Sequence, residues 1–242
     1  MNWTSCAPTD LDIQHSRSTD FEACASYSAV HIAEMVLRRS TGFFFEFSER
    51  FTAKTSDTQP WGNALQNVVD ALNTNGLCLT QYWPELTYST DYENINWATY
   101  YADIPASVLA SAYRVNCSLV KLSPTQVTQA LTVAPLWTII KTAGLLHCVA
   151  QISETQFYDS YEVRVKNFSD GYPIQSQYAL QLTFLNMPNA EFVQKAGTQE
   201  FGFYLPSLSP DALKDKALNF GLPIVKADGT IDFTLAKQVT GL

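Results

Sequence analysis

A cysteine, a histidine and an asparagine of this sequence could together perform nucleophilic catalysis. Cys24 begins a run without Gly or Pro that extends to Arg39 and predicts a helix starting at the cysteine. The N-terminal end of a helix favours a thiolate over a thiol, so Cys24 is a candidate nucleophile. His147 opens a predicted strand after a glycine turn and is a candidate base. Asn167 ends another predicted strand, where it could orient the imidazole.

Each of these residues also has an ordinary structural interpretation. A free cysteine is commonly a small core residue. A single histidine is more often a satisfied sheet-edge residue than a catalytic base, and asparagine is a frequent turn residue. The three residues become informative in combination, because a cysteine at a helix start with histidine and asparagine far downstream is the layout of a thiol nucleophile with its base and orienting residue.

The sequence around these residues resembles the papain-like cysteine peptidases. The segment that begins Cys24-Ala-Ser-Tyr-Ser-Ala is similar to the Cys-Trp-Ala-Phe-Ser-Ala start of the family's central helix. The segment His147-Cys-Val is similar to its His-Ala-Val block, and Val165-Lys166-Asn167 is similar to its Lys-Asn-Ser-Trp block. Similar segments occur in the family's order over roughly residues 14–185: Thr41-Gly42, Phe47-Ser48-Glu49, Pro60-Trp61, Asn75-Gly76-Leu77, Trp83-Pro84 and Ala134-Pro135-Leu136.

The resemblance implies an α+β, papain-like fold with a site between two lobes. A helical N-terminal lobe over residues 20–110 would contain the central helix that starts at Cys24. An antiparallel, β-barrel-like C-terminal lobe over residues 111–185 would carry His147 and Asn167. The resemblance also implies a divergent peptidase without a propeptide, which cleaves peptide bonds through an acyl-enzyme on Cys24 and uses no cofactor and no metal.

Periodicity and turn residues predict the elements independently of the family. Because helices dominate the first half and strands the second, the pattern itself favours an α+β protein. Residues 1–185 are expected to form the main domain, and residues 186–242 a C-terminal extension that covers the cleft or docks a partner. The predicted helices are 24–39, 62–75, 104–112 and 124–132, and the predicted strands are 113–122, 136–141, 148–152, 161–166 and 178–185.

The oxyanion donor is where the sequence departs from the family. The family has a glutamine six residues before the cysteine; this position is Ser18 here, and Gln14 lies ten residues before Cys24. Ser18 and Gln14 are both oxyanion candidates, and Gln14 requires a longer intervening loop. The family's Trp that shields the His–Asn contact is absent, and Phe168 is expected to replace it.

The substrate cleft also differs from the family pattern. The Gly-Gly pair that binds substrate backbone in the family is replaced by Asp57-Thr58. The neighbouring residues Pro60 and Trp61 are candidates for the substrate cleft. No position of the chain offers the spacing of a structural zinc site, because its five cysteines contain no Cys-x-x-Cys and it has three histidines.

Composition excludes several classes of function. The chain has 242 residues with a net charge of −8, so it lacks the basic patch of a nucleic-acid-binding protein. No apolar run reaches the length of a membrane-spanning helix, and the N-terminus has no signal-peptide pattern. A cytoplasmic location is therefore expected, or a virion location if the chain comes from a phage.

Three functions remain open from the sequence alone. The leading hypothesis is a thiol peptidase acting on a protein or peptide substrate. The first alternative is a catalytically weak or inactive papain-fold protein with a structural or binding role, such as a phage virion component. The unmatched glutamine position, the altered substrate strand at Asp57-Thr58 and the extension at 186–242 favour it. The second is a peptide-ligating or amide-cleaving enzyme with the same thioester chemistry.

Overall fold

The computed structural model describes residues 2–8, 13–41, 45–86, 95–185, 224–225 and 231–232. The chain divides into two compact units, Met1–Val36 with Glu46–Leu185, and Leu37–Phe45 with Asn186–Leu242. The candidate residues of the sequence analysis all lie in the first unit. Among the described residues, no helix combines the length and apolar character that crossing a membrane requires.

Helices make up the first half of the described chain. Four of them match helices predicted from the sequence, whereas the helices at residues 49–55 and 97–100 were not predicted. The first of these two begins at residue 49 because Ser48 Oγ accepts the Phe51 N–H at 3.0 Å, which satisfies a backbone donor of the first turn. The helices are α1 (Cys24–Thr41), α2 (Glu49–Thr55), α3 (Leu65–Asn75), α4 (Trp97–Tyr100), α5 (Ala106–Ser111) and α6 (Val127–Leu131).

The helix α1 is the central element of the first unit. Almost every side chain from Ala25 to Met35 is buried, as expected for a helix that is apolar on nearly all sides. Ser28 of α1 accepts a hydrogen bond from Trp137 Nε1 of the sheet at 2.7 Å. Tyr27 contacts the hydroxyl of Tyr100 in α4 at 2.9 Å. Contacts with both the sheet and the other helices therefore position the start of α1.

One antiparallel sheet of six strands forms the second half of the first unit. The strand order is β1-β6-β2-β3-β4-β5, and every neighbouring pair is antiparallel. Two further strands, β7 (Ile224–Val225) and β8 (Ile231–Asp232), pair with each other in the second unit. The six strands are β1 (Val115–Lys121), β2 (Leu136–Thr142), β3 (Leu145–Gln151), β4 (Gln156–Asp159), β5 (Arg164–Asn167) and β6 (Ile174–Phe184).

The region between β3 and β6 differs from its prediction. The sequence predicts one strand at 161–166, whereas the chain forms β4, a turn and then β5. Residues 161–163 belong to the turn, and Val163 has a φ of +51°, which no strand residue adopts. The missed strand β4 matters for function, because its last residue is Asp159.

Gly76 ends α3 in a conformation that side chains rarely adopt. Its φ is +79°, and a Cβ at this position would lie 2.1 Å from the carbonyl oxygen of Tyr113. That carbonyl is fixed by the N–H of Leu77 at 3.0 Å. We therefore expect Gly76→Ala to lower the free energy of unfolding by about 2–4 kcal/mol, measured by urea denaturation.

Gly62 provides the matched control for this prediction. Its φ of +99° is equally unfavourable for a side chain, but nothing lies within 4 Å of the position that an alanine methyl would take. Gly62→Ala should therefore cost only the conformational strain, about 1 kcal/mol. Equal losses in the two variants would contradict the steric explanation for Gly76.

Candidate active site

Cys24 is the first residue of α1 and a partly buried free thiol. Ser28, one turn further on, donates a hydrogen bond to the Cys24 carbonyl at 2.6 Å. The chain just before the helix is also held, because the Tyr101 hydroxyl donates to the Phe21 carbonyl. The predicted helix start is therefore observed, and the thiol lies where the helix leaves backbone N–H groups without helical acceptors.

His147 lies in β3 and contacts both Cys24 and Asp159. Its Nε2 is 2.8 Å from Asp159 Oδ1, and its side chain also interacts with the Cys24 thiol. Burial alone would lower the pKa of His147, but its contacts with Asp159 and Cys24 raise that pKa to about 10. The imidazole is therefore a cation at neutral pH, beside the thiol of Cys24.

Asp159 is the acidic partner of the imidazole and stays ionised. Burial would raise its pKa, but hydrogen bonds from His147, Lys166 and the Tyr161 N–H hold that pKa well below its usual range. The structure thus brings together a thiol, an imidazole and a carboxylate, the groups that a cysteine nucleophile, its base and the residue orienting the base would require.

Asn167 does not fill the role predicted for it. Its Oδ1 accepts from Gln156, and its Nδ2 donates to Asp170, both at 3.3 Å. Asn167 pairs with Gln156 in the register of β4 and β5, one residue away from the pair formed by Lys166 and Phe157. Since neighbouring residues of a strand face opposite sides, Asn167 lies on the other face from the side chains that surround Asp159. The prediction that Asn167 orients His147 is therefore wrong.

A signal for Asp159 was present in the sequence. The triplet Asp159-Ser160-Tyr161 has the pattern of the family's Asn-Ser-Trp, with a carboxylate for the amide and a tyrosine for the tryptophan. It was missed because β4 was not predicted and because Val165-Lys166-Asn167 offered a literal asparagine. Asp159 can accept the same hydrogen bond from a protonated imidazole that an asparagine oxygen accepts.

The chain after Gln14 folds back on itself and brings Gln14 next to the segment just before Cys24. The Phe21 N–H donates to the Gln14 carbonyl at 3.0 Å, and His15 forms an antiparallel bridge with Asp20. This hairpin takes up the extra residues that separate Gln14 from Cys24. Gln14 thus lies beside Phe21, three residues before Cys24. The hairpin is the longer loop that Gln14 requires to serve as the oxyanion candidate.

The side-chain amide of Gln14 is oriented by Ser160. The Ser160 hydroxyl donates to Gln14 Oε1 at 2.9 Å, and the Gln14 side chain is buried. Because the oxygen is used as an acceptor, Nε2 is left to donate. Ser18, the other oxyanion candidate, is exposed in the turn of the hairpin, where its N–H donates to Ser16 Oγ at 3.3 Å. The structure therefore favours Gln14 over Ser18 as the oxyanion candidate.

Tyr161 lies next to both His147 and Asp159, through its ring and its backbone N–H respectively. Its ring is perpendicular to the His147 ring, with centroids 6.5 Å apart, and lies 4.4 Å from the ring of His15. Phe168, expected in this place, packs instead against Phe157, with centroids 4.9 Å apart. The His147 side chain is 12% exposed.

Pro60 and Trp61 form the exposed tip of a tight turn near the start of α1. Trp61 is 81% exposed. The turn is connected to α1 through Asn63, which donates to Ser56 Oγ at 2.8 Å, and through Ser56, whose hydroxyl lies 3.3 Å from that of Ser26. A role of Pro60 and Trp61 in binding substrate stays a prediction.

A second polar cluster, His31, Glu34 and Glu49, lies buried along α1 and at the start of α2. One ligand atom from each residue lies within 4.8 Å of the others, and His31 Nε2 is 3.2 Å from Glu49 Oε1. Burial lowers the pKa of His31 to about 3, against the opposing effect of the Asp159 charge. One imidazole and two carboxylates could hold a divalent cation, and no other such group occurs among the described residues.

Comparison with known proteins gives a result at the level of structure only. No family model and no curated protein matches the sequence. Among solved structures, the proform of the cysteine protease Amb a 11, a major ragweed pollen allergen, is 14% identical with a TM-score of 0.52. The match covers 77% of this chain and 66% of the ragweed chain.

Two further matches to solved structures have lower TM-scores. The Carica candamarcensis cysteine protease CMS1MS2, in complex with E-64, is 12% identical with a TM-score of 0.47, covering 78% of this chain and 98% of that chain. A recombinant stem bromelain precursor is 10% identical with a TM-score of 0.49, covering 77% and 70%. The likeness to the ragweed structure, together with the observed helices and antiparallel sheet, confirms the predicted α+β, papain-like fold.

Proposed function

We propose that this protein is a thiol-dependent peptidase that cleaves peptide bonds through an acyl-enzyme on Cys24. The observation that carries the proposal is the contact of one imidazole, His147, with both the Cys24 thiol and the Asp159 carboxylate. A thiolate beside an imidazolium is the reactive form of a cysteine nucleophile. No cofactor is needed for this chemistry.

In the proposed first half-reaction, Cys24 Sγ attacks the carbonyl carbon of the scissile peptide bond. The negative charge that develops on the carbonyl oxygen would be stabilised by the Cys24 backbone N–H and by Gln14 Nε2. His147 then gives its proton to the leaving amine as the carbon–nitrogen bond breaks, and a thioester remains on Cys24.

In the proposed second half-reaction, water hydrolyses the thioester. His147, now neutral, takes a proton from the water as it attacks, and the tetrahedral intermediate releases the acid product and the Cys24 thiolate. Asp159 keeps the imidazole in place in both halves and stabilises its positive charge.

The position of Gln14 favours an active enzyme over a catalytically inactive binding protein. Inactivity is favoured in part by the absence of an oxyanion glutamine at the family's spacing in the sequence. The hairpin before Cys24 and the bond from Ser160 supply a glutamine amide that is held in place. A cytoplasmic or virion setting and a partner for residues 186–242 remain parts of the proposal that rest on the sequence.

The test is intact-mass labelling with an epoxysuccinyl peptide at pH 6, followed by mapping of the modified residue. At this pH an ordinary thiol, with a pKa of about 8.5, reacts slowly. We expect one addition at Cys24, no addition to Cys24→Ala, and labelling at least about 100-fold slower in His147→Ala. Hydrolysis of a fluorogenic peptide library then identifies the preferred substrate.

Cys6 provides the matched control, because it is the other cysteine that is not fully buried. Cys6→Ala should label at the same rate as the unchanged protein. If Cys6 and Cys24 react equally fast, or if His147→Ala does not slow the reaction, the proposed peptidase site is rejected.

A further inference from the structure

Lys166 is a buried cation next to the candidate active site. It lies in β5, and its side chain is 7% exposed. Phe157 faces Lys166 across β4 and β5, and Asp159 faces Arg164, so Lys166 and Asp159 are diagonal neighbours on one face of the sheet. A lysine is rarely buried unless its charge is paired.

The ammonium group of Lys166 has two carboxylate partners and an aromatic one. Nζ lies 2.7 Å from Asp159 Oδ2, contacts Glu162 Oε1 and stands 5.0 Å above the ring centroid of Tyr172. Burial would lower the pKa of Lys166, but the bonds to Asp159 and Glu162 raise it above its usual value. Lys166 therefore stays charged over the working range of the enzyme.

The two oxygens of Asp159 are divided between two cations. Oδ1 accepts from His147 and from the Tyr161 N–H, whereas Oδ2 accepts from Lys166. Each cation is attracted by the carboxylate and repelled by the other cation. The net stabilisation of a charged His147 is therefore smaller than Asp159 alone would give. An asparagine in place of the carboxylate would have no charge for a lysine to offset.

We propose that Lys166 is a positioning residue of this site, which fixes Asp159 through Oδ2 and limits how strongly Asp159 holds the proton on His147. The inference rests on the proposed function, in which His147 must release that proton to the leaving amine. Without Lys166, the ionised Asp159 would favour the imidazolium more strongly, and proton transfer from His147 would become less favourable.

Other titratable groups near His147, Asp159 and Lys166 come from the segment before α1, from α1 itself and from the turn after β4. Glu22 and Asp20 precede α1, and the charge of Glu22 interacts with His147. Asp159 also interacts with His31 from α1 and with the Tyr161 hydroxyl of the turn. None of these groups is substituted in a Lys166 variant.

The test measures the pKa of His147 directly by NMR titration of histidine labelled with ¹³C at Cε1. The full-length chain carries Cys24→Ala, which removes the thiol that itself raises the pKa of His147. Because Lys166→Met removes the cation bound to the other oxygen of Asp159, we expect it to raise the His147 pKa by about one unit. His147→Gln assigns the signal among the three histidines.

Arg164→Met is the matched control. Arg164 lies in the same strand and on the same face, opposite Asp159, but its guanidinium forms its ion pair with Glu162 rather than with Asp159. Its loss should leave the His147 pKa unchanged, and Lys166→Arg, which keeps the charge, should do the same. Lys166→Gln keeps a hydrogen-bond donor to Asp159 without the charge, so it should raise the His147 pKa as Lys166→Met does. It replaces Lys166→Met in the test if that variant does not fold.

The outcomes separate the inference from the proposed function. A His147 pKa that is unchanged or lowered in Lys166→Met and Lys166→Gln overturns the role of Lys166, even if Cys24 reacts rapidly with the epoxide. A raised pKa supports that role, and the measurement requires no turnover. Failure of epoxide labelling in the unchanged protein would reject the peptidase while leaving the pKa result to stand.

Discussion

Asp159→Ala should reduce kcat/KM of the peptidase by about 10²–10⁴-fold. The imidazole would lose the hydrogen bond at Nε2 that orients it and the charge that stabilises its protonated form. The rate of Cys24 labelling by the epoxide should fall with it, since both depend on the imidazolium. Hydrolysis of the preferred peptide and labelling kinetics measure the two effects.

Asn167→Ala is the matched comparison, because the sequence predicted Asn167 for the same role. Its contacts are with Gln156 and Asp170, so its loss should change kcat/KM by less than about twofold. The loss of kcat/KM in Asp159→Asn should lie between the losses in Asn167→Ala and Asp159→Ala. An amide oxygen can still accept a hydrogen bond from His147, but it carries no charge. A larger loss in Asn167→Ala than in Asp159→Ala would contradict the assignment.

Loss of the Asp159 carboxylate also affects stability. Lys166 would remain buried next to the vacated position with Glu162 as its remaining carboxylate partner. Removing one partner of a buried ion pair typically costs about 3–5 kcal/mol of folding free energy. Activities are therefore compared at a temperature at which circular dichroism shows each variant to be folded.

Gln14→Ala should reduce kcat by about 10²–10³-fold with a small change in KM. An oxyanion donor interacts chiefly with the transition state, so its loss slows the chemical step more than it weakens substrate binding. Steady-state hydrolysis of the preferred peptide separates the two constants. Labelling of Cys24 by iodoacetamide, which forms no oxyanion, should be unaffected.

Ser18→Ala and Ser160→Ala complete this test. Ser18 contacts only the turn of its hairpin among the described residues, so its loss should leave kcat unchanged. Ser160 orients the Gln14 amide through Oε1, so its loss should lower kcat less than the loss of Gln14 itself. A Gln14→Ala variant with normal kcat would show that this glutamine is not an oxyanion donor.

The sequence by itself determined the parts of the site that depend on local structure. The helix that begins at Cys24 follows from an uninterrupted apolar segment, and the strand that carries His147 follows from a short apolar run after a glycine turn. The α+β class followed in the same way, because helix and strand periodicities are properties of neighbouring residues.

Only the tertiary structure decided which groups complete the site. The choice of Asp159 over Asn167 depends on strand register, because a difference of one residue between neighbours reverses the face on which a side chain lies. The choice of Gln14 over Ser18 depends on a hairpin that shortens the distance through space without changing the spacing in the chain. Lys166 likewise meets Asp159 through cross-strand pairing. Contacts between strands and across a hairpin join residues distant in the chain, so sequence spacing does not encode them.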